Sequence, residues 1–333
     1  MKKALLTLMR GSGMFAGLRQ ANKHKILILT YHRFVHEADG RSTSAVAFKD
    51  QLEYLIKHYQ PVSLSQIQES FTTGAALPER AAAVTIDDGF DDAYEIAFPI
   101  LRKYSFPATL FVITDFANGK AWLWTDKLRY IASQLPSGRT TISVNGRELD
   151  FDLDGELSRF HAADVVNSIL KKLPNDARDA ALEELAAGLN VEVPPLPPRQ
   201  YGAASWEKLT EMDKGGIEIG SHTVTHPILP NLSDDELQRE LTESRSKLEK
   251  VLNREVPLFC YPNGSYDDRT RRAVQEAGYK CAVTTVPTLT DKKSDPLMLS
   301  RIPAELDMDR FIQSTCGFEQ LKSSVATKRH KKQ

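Results

Sequence analysis

The sequence predicts a parallel α/β fold wrapped into a barrel, on three observations. Seven short apolar runs, near Ile26, Ala82, Ala108, Ile217, Leu258, Cys281 and Leu297, mostly alternate with stretches of helical periodicity. Polar and ionisable residues close several of these runs: Tyr31-His32-Arg33 after residues 26–30, Asp87-Asp88 after 82–86, and His222 soon after 217–219. Such side chains at the C-terminal ends of several strands favour a barrel. A chain of 333 residues can bury a sizeable core, and its 41% apolar share is ordinary for a globular protein.

Taken in order, residues 1–25 carry Lys2, Lys3, Arg10, Arg19, Lys23 and Lys25 and no acid, interleaved with Leu5, Leu6, Leu8, Met9, Met14, Phe15 and Leu18. The apolar run 4–9 is broken by Thr7 and stopped by Arg10. It is too short for a secretory signal core, and far too short to span a bilayer. A basic amphipathic helix touching an anionic membrane surface is one reading; a helix docked on the barrel is the other. Cys260, Cys281 and Cys316 show no CxxC spacing, which suits a reducing compartment. The expected location is therefore cytoplasmic, with peripheral contact at the inner face of the membrane. A net charge of −1 gives no general attraction to nucleic acid.

Phe48, Leu52, Leu55, Ile56 and Tyr59 follow helical spacing, and Ser63 with Gln66 forms a capping box for a helix reaching residue 71. A helix over 92–104, kinked at Pro99, separates the Asp-bearing strand from the strand at 108–113. Residues 116–205 read as a mainly helical insertion. Trp122, Trp124, Leu128 and Ile131 share a helix, a hairpin over 141–151 turns at Asn145-Gly146, and helices follow at 161–173 and 177–189. A stiff Pro194-Pro195-Leu196-Pro197-Pro198 linker ends it. Trp124 is a candidate substrate-binding residue, with core packing as the alternative. Beyond the insertion, Ser233 and Glu236 cap a long helix, and Asp267 or Asp268 caps another that Gly278 closes. The chain ends in a basic tail, 321–333.

The chemistry concentrates at two strand ends. Asp87, Asp88, Asp91 and Asp92 surround Gly89, more acids than helix capping explains, and a divalent cation would neutralise them. His222 and His226, four residues apart, supply imidazoles. Two histidines and one carboxylate form an open zinc-type site whose remaining position takes water, with its pKa brought to roughly 7. The spare carboxylate can act as general base. The residues alone leave open which aspartate has which role.

Thr85-Ile86-Asp87-Asp88-Gly89 resembles the first motif of the polysaccharide deacetylase family (the NodB homology domain, carbohydrate esterase family 4). Ser221-His222-Thr223-Val224-Thr225-His226-Pro227 resembles its second motif, and Tyr261-Pro262-Asn263-Gly264 a variant of its third. The resemblance covers about 26–115 and 205–305. It implies a distorted (β/α) barrel of about seven parallel strands over 26–320, interrupted by the insertion. It also implies Asp87 as base, Asp88, His222 and His226 as metal ligands, and Tyr261, Pro262, Asn263 and Gly264 as substrate-binding, with a backbone N–H near Tyr261 for the oxyanion. Zinc fits the ligand type best, and nickel, cobalt or iron suit the same donors.

Two family features are missing here: the late Leu-x-His motif and an arginine in the third motif. A subset of the family, similar to biofilm poly-N-acetylglucosamine deacetylases, begins its barrel with a Tyr-His pair, which here is Tyr31-His32. On that resemblance His32 is expected to be the general acid, and Arg301 to orient Asp87. The implied activity is removal of N-acetyl groups from an amino-sugar glycan or lipid-linked sugar. A metal amidohydrolase acting on a non-sugar amide and a non-catalytic sugar-binding relative are the alternatives.

Overall fold

The structure is a computed structural model, described over residues 11–120 and 122–318. The basic tail and the first ten residues of the basic N-terminal segment lie outside that range. Seven parallel strands form the barrel: β1 (Leu27–Tyr31), β2 (Ala81–Ile86), β3 (Ala108–Val112), β4 (Ile217–Ser221), β5 (Leu258–Cys260), β6 (Cys281–Val283) and β7 (Ile302–Pro303). Their spatial order is β6-β5-β4-β3-β2-β1-β7. The sheet curls until an isolated parallel bridge, Val283↔Leu299, joins its two ends.

The last strand is shorter than the sequence predicts. Residues 297–301 divide their backbone groups between neighbours: Leu299 N–H donates to Ala282 and its carbonyl accepts from Thr284 N–H, before Ile302 pairs with Leu29. Residues serving two neighbours in turn make only a short ladder with either.

Strand alternation sorts the side chains into two sets. Leu27, Leu29, Val84, Ile86, Leu110 and Ile219 face outward under the helices. Ile28, Ala83, Phe111, Cys260, Val283 and Leu299 fill the interior. Both sets are buried, which is why the strands read as unbroken apolar runs. Gly220 belongs to the inner set, where a Cβ would stand 2.6 Å from the Phe111 ring. The helix Leu64–Thr73 plugs the N-terminal end of the barrel with Leu64 and Ile67. Glu218 of β4 accepts from the N–H groups of Leu64 and Ser65 at 3.0 and 3.2 Å, so it caps that helix from inside the barrel.

The helix expected over 92–104 begins as a π turn, Ala93–Ala97, before the α-helix Phe98–Tyr104. Pro99 has no N–H to give and would crowd the carbonyl four residues back; the wider turn relieves both problems. The insertion contains the helix Trp124–Gln134, the hairpin Arg139–Val144 with Arg147–Asp152, and the helices Glu156–Leu170 and Asn175–Gly188. Asn145 and Gly146 take φ of 49° and 70°, as a tight hairpin turn requires. The insertion has its own apolar core, including Leu128, Ile131, Leu153, Val166 and Leu182, and rejoins the barrel where Ala203 bridges Phe90. At the N-terminus, helix Met14–Ala21 docks through Phe15 against Ile312 and Cys316, and Arg19 Nη1 donates to Tyr54 Oη at 2.7 Å. Among the described residues no helix is long and apolar enough to cross a membrane.

Candidate active site

Register sets the site. Tyr31 pairs with Ile86 and Val112 with Ser221, so the residues next in line, His32, Asp87 and His222, leave the C-terminal rim at the same level. All three follow inner-set alternation, and so does Arg301, two residues after Leu299. Asp87 is buried and gripped at both oxygens: Arg301 Nη1 and Nη2 donate to Oδ1 and Oδ2, each at 2.7 Å. Arg301 is itself fixed by Thr284 O at 2.9 Å, Thr85 Oγ1 at 2.9 Å and Cys260 Sγ at 3.1 Å. Burial opposes ionisation of Asp87, but the guanidinium outweighs it and holds the carboxyl below its usual range.

Asp88 turns the other way, with φ of 74°. Its Oδ1 stands 3.5 Å from His222 Nε2 and 3.7 Å from His226 Nε2. Donors sharing one tetrahedral zinc with bonds of about 2.1 Å stand about 3.4 Å apart. His222 Nδ1 lies 2.7 Å from the Cys260 carbonyl, so Nδ1 carries the hydrogen and Nε2 presents its lone pair. Burial pushes His226 down to about 3, so it is neutral, as a ligand must be. His222 beside Asp88 and the Cys260 carbonyl is raised, and a cation would displace its Nε2 proton. Two neutral-capable imidazoles and one carboxylate converging at these distances fit a divalent cation. A second grouping, Asp87, His222 and Cys260, is also compact. Arg301 already fills both Asp87 oxygens there, and burial raises the Cys260 thiol, so that grouping does not suit an ion.

The polysaccharide deacetylase family model matches residues 74–149 and 182–282, more than half of the chain. The chain belongs to the polysaccharide deacetylase family. It is similar to the Staphylococcus aureus poly-beta-1,6-N-acetyl-D-glucosamine N-deacetylase, 22% identical over 236 residues that span 66% of this chain and 79% of that protein. Among solved structures, the Streptococcus pyogenes deacetylase PplD in complex with acetate gives a TM-score of 0.58 at 21% identity, covering 88% of this chain and 98% of that one. IcaB from Ammonifex degensii gives 0.57 at 17% identity, covering 88% and 97%. At these identities the solved structures establish the shared barrel.

The other candidate residues of this deacetylase fall into three groups. His32 faces the site, its Nε2 3.7 Å from Asp87 Oδ2 and its side chain about half exposed at 52%, open to an incoming ligand. Tyr261 belongs to the outer set: its ring packs beside Phe259 and under Leu237 and Leu241, and its N–H already donates to Val283 O at 3.2 Å. The parity that turns Cys260 inward turns the Tyr261 ring away from the site. Pro262–Gly264 form a tight turn with Asn263 at φ 55°. Trp124 is a core residue of the insertion, buried beneath the Arg178 guanidinium at 4.9 Å, which is the alternative reading of that tryptophan. Asp91 and Asp92 do not cap the following helix. They tie the loop down, through Lys208 Nζ at 2.7 Å and Arg33 Nε at 2.6 Å.

Glu240 has no role in the sequence reading, whereas Asp126, beside Trp122 and Trp124, reads there as a residue that could help hold substrate. Glu240, on the helix Asp234–Leu252, accepts from Val224 N at 2.8 Å, Thr225 N at 3.0 Å and Thr225 Oγ1 at 2.6 Å. It clamps a loop in which Thr223 and His226 both have positive φ, 71° and 61°. Its sequence signal is an acid on a buried helical face with Leu237, Leu241 and Ser244. Asp126 is buried against Arg129 Nη1 at 3.1 Å, with Oδ2 unpartnered, and burial pushes its carboxyl up to about 6.

Proposed function

We propose that this deacetylase removes N-acetyl groups from an amino-sugar glycan or lipid-linked sugar with the help of one divalent cation, zinc by ligand type. The observation that carries the reading is the adjacency of two differently equipped carboxylates. Asp88 shares its oxygen with two imidazoles, while Asp87 is ionised and aimed by Arg301. A cation held by Asp88, His222 and His226 would supply Lewis-acid activation of water and of the amide carbonyl. Asp87 takes the proton of the attacking water, and the bidentate Arg301 keeps its lone pair in one direction throughout. His32, on the open side of Asp87, gives a proton to the leaving amine. Arg301 thus stands in for the arginine missing from the third motif, which favours an enzyme over a sugar-binding relative. The Tyr261 N–H, engaged with Val283, is not part of this scheme.

The glycan assignment draws on the Staphylococcus aureus relative, whose name specifies poly-beta-1,6-N-acetyl-D-glucosamine. The three cysteines are buried and form no disulfide with one another, which supports a reducing, cytoplasmic setting. The deciding experiment is acetate release from N-acetylated glucosamine oligomers by zinc-loaded protein, with His32→Ala beside it. Turnover that collapses in the variant while metal content stays constant supports the assignment; near-normal turnover removes His32 from it. No acetate release from any sugar, but hydrolysis of simple amides, would favour the non-sugar amidohydrolase.

A further inference from the structure

The loop after β1 and the insertion enclose a second polar cluster. Arg41 lies across the Phe160 ring at 3.9 Å and reaches Asp164 Oδ1 only at 3.4 Å. Its Nη1 is buried without a hydrogen-bond partner. Phe160, Asp164, Asn167 and Lys171 are spaced by four, three and four residues, so they share one face of this helical segment. Asn167 Oδ1 is also buried and unpartnered, and an amide can turn either end to a ligand. Arg129 lies on the helix Trp124–Gln134, which packs against this segment. Desolvation and the Arg129 charge lower Arg41 and Lys171 below their ordinary values.

Few acids offset these three cations. Asp126 is committed to Arg129. Asp39 is occupied by the N–H groups of Arg41 and Ser42 and by the Ser42 hydroxyl. Asp164, more than half exposed, is left between Arg41 and Lys171. In a chain whose net charge is −1, such a gathering is local rather than compositional. Arg41 belongs to the loop that follows His32 at the C-terminal rim, the end of the barrel where Asp87 and Asp88 also emerge.

We propose that Arg41, Arg129, Asn167 and Lys171 form a subsite for an anionic substituent of the substrate, a phosphate ester or a uronic-acid carboxylate. The word substrate rests on the deacetylase reading; the anion site does not. Two guanidinium groups suit either anion through paired N–H donors, and Lys171 adds a mobile charge at the rim.

The test is isothermal titration of metal-free, full-length protein with inorganic phosphate and, separately, with glucuronate. Removing the metal keeps phosphate from binding there. Saturable binding is expected, at least tenfold weaker in Arg41→Gln/Lys171→Gln and unchanged in Asp88→Asn. Tighter phosphate binding assigns a phosphate ester; tighter glucuronate binding assigns a uronic acid. Circular dichroism checks folding, and Lys171→Gln alone, at an exposed position, should weaken binding at least threefold. The proposal is overturned if neither anion saturates, if the lysine variant binds like the parent chain, or if Asp88→Asn abolishes binding. A protein that binds the anion yet releases no acetate keeps the subsite and loses the deacetylase reading.

Discussion

Asp87 and Asp126 are both buried carboxylates, and their surroundings push them in opposite directions. Asp87 has a bidentate guanidinium and stays ionised. Removing that partner by Arg301→Ala should leave a bare buried charge, costing about 3–5 kcal/mol in chemical denaturation. It should also lower kcat at least about a hundredfold, with metal content unchanged, because Arg301 touches no metal ligand. Arg301→Lys should recover only part of this, as an ammonium cannot hold both oxygens at once. Asp126 has one oxygen paired and one unpaired, and its carboxyl is raised to about 6 from 3.8. A raised acid favours the folded state while protonated. Its contribution is complete below the ordinary value and is lost as pH rises through about 6. Thermal melts from pH 3 to 7 should therefore show a loss of roughly 3 kcal/mol that Asp126→Asn abolishes.

At the level of elements, the histidine loop is held in an unfavourable backbone shape from outside. Thr223 and His226 sit at positive φ, and Glu240 compensates with three accepted hydrogen bonds from a helix that touches no ligand. Glu240→Ala should weaken zinc binding about 10–100-fold in chelator competition, the range typical of groups that orient metal ligands from behind. Glu240→Gln, which keeps one acceptor oxygen, should fall between. Inside the barrel, Gly220→Ala would drive a methyl into Phe111 and toward the Leu258 carbonyl. Overpacking of that kind should cost about 1–3 kcal/mol, measurable by urea unfolding.

Taken whole, the barrel was legible in the sequence because strands buried on both faces show as apolar runs, and because short acid and histidine motifs close them. The convergence of Asp87, Asp88, His222 and His226 on one rim could be read for the same reason: their motifs are local. Tyr261 and Trp124 could not. Which way a rim residue turns depends on strand parity, and a buried tryptophan has the same sequence signature as one lining a cleft. The short β7 escaped because its backbone is divided between two neighbours, a property of ring closure and not of residues 297–303. For the whole chain, elemental analysis should find about one metal per molecule, and His222→Ala should lose it. Bound metal should raise the melting temperature as its concentration exceeds the dissociation constant.

Arg301 and Asp87 meet across 214 residues. During synthesis the proposed base and all three proposed metal ligands emerge from the ribosome before Arg301. A nascent chain that has folded through β6 can hold its ion while the catalytic carboxylate lacks its guide. On the proposed mechanism, hydrolytic competence should wait until the closing strand is in place. Chains stalled before residue 301 should bind metal and remain inert.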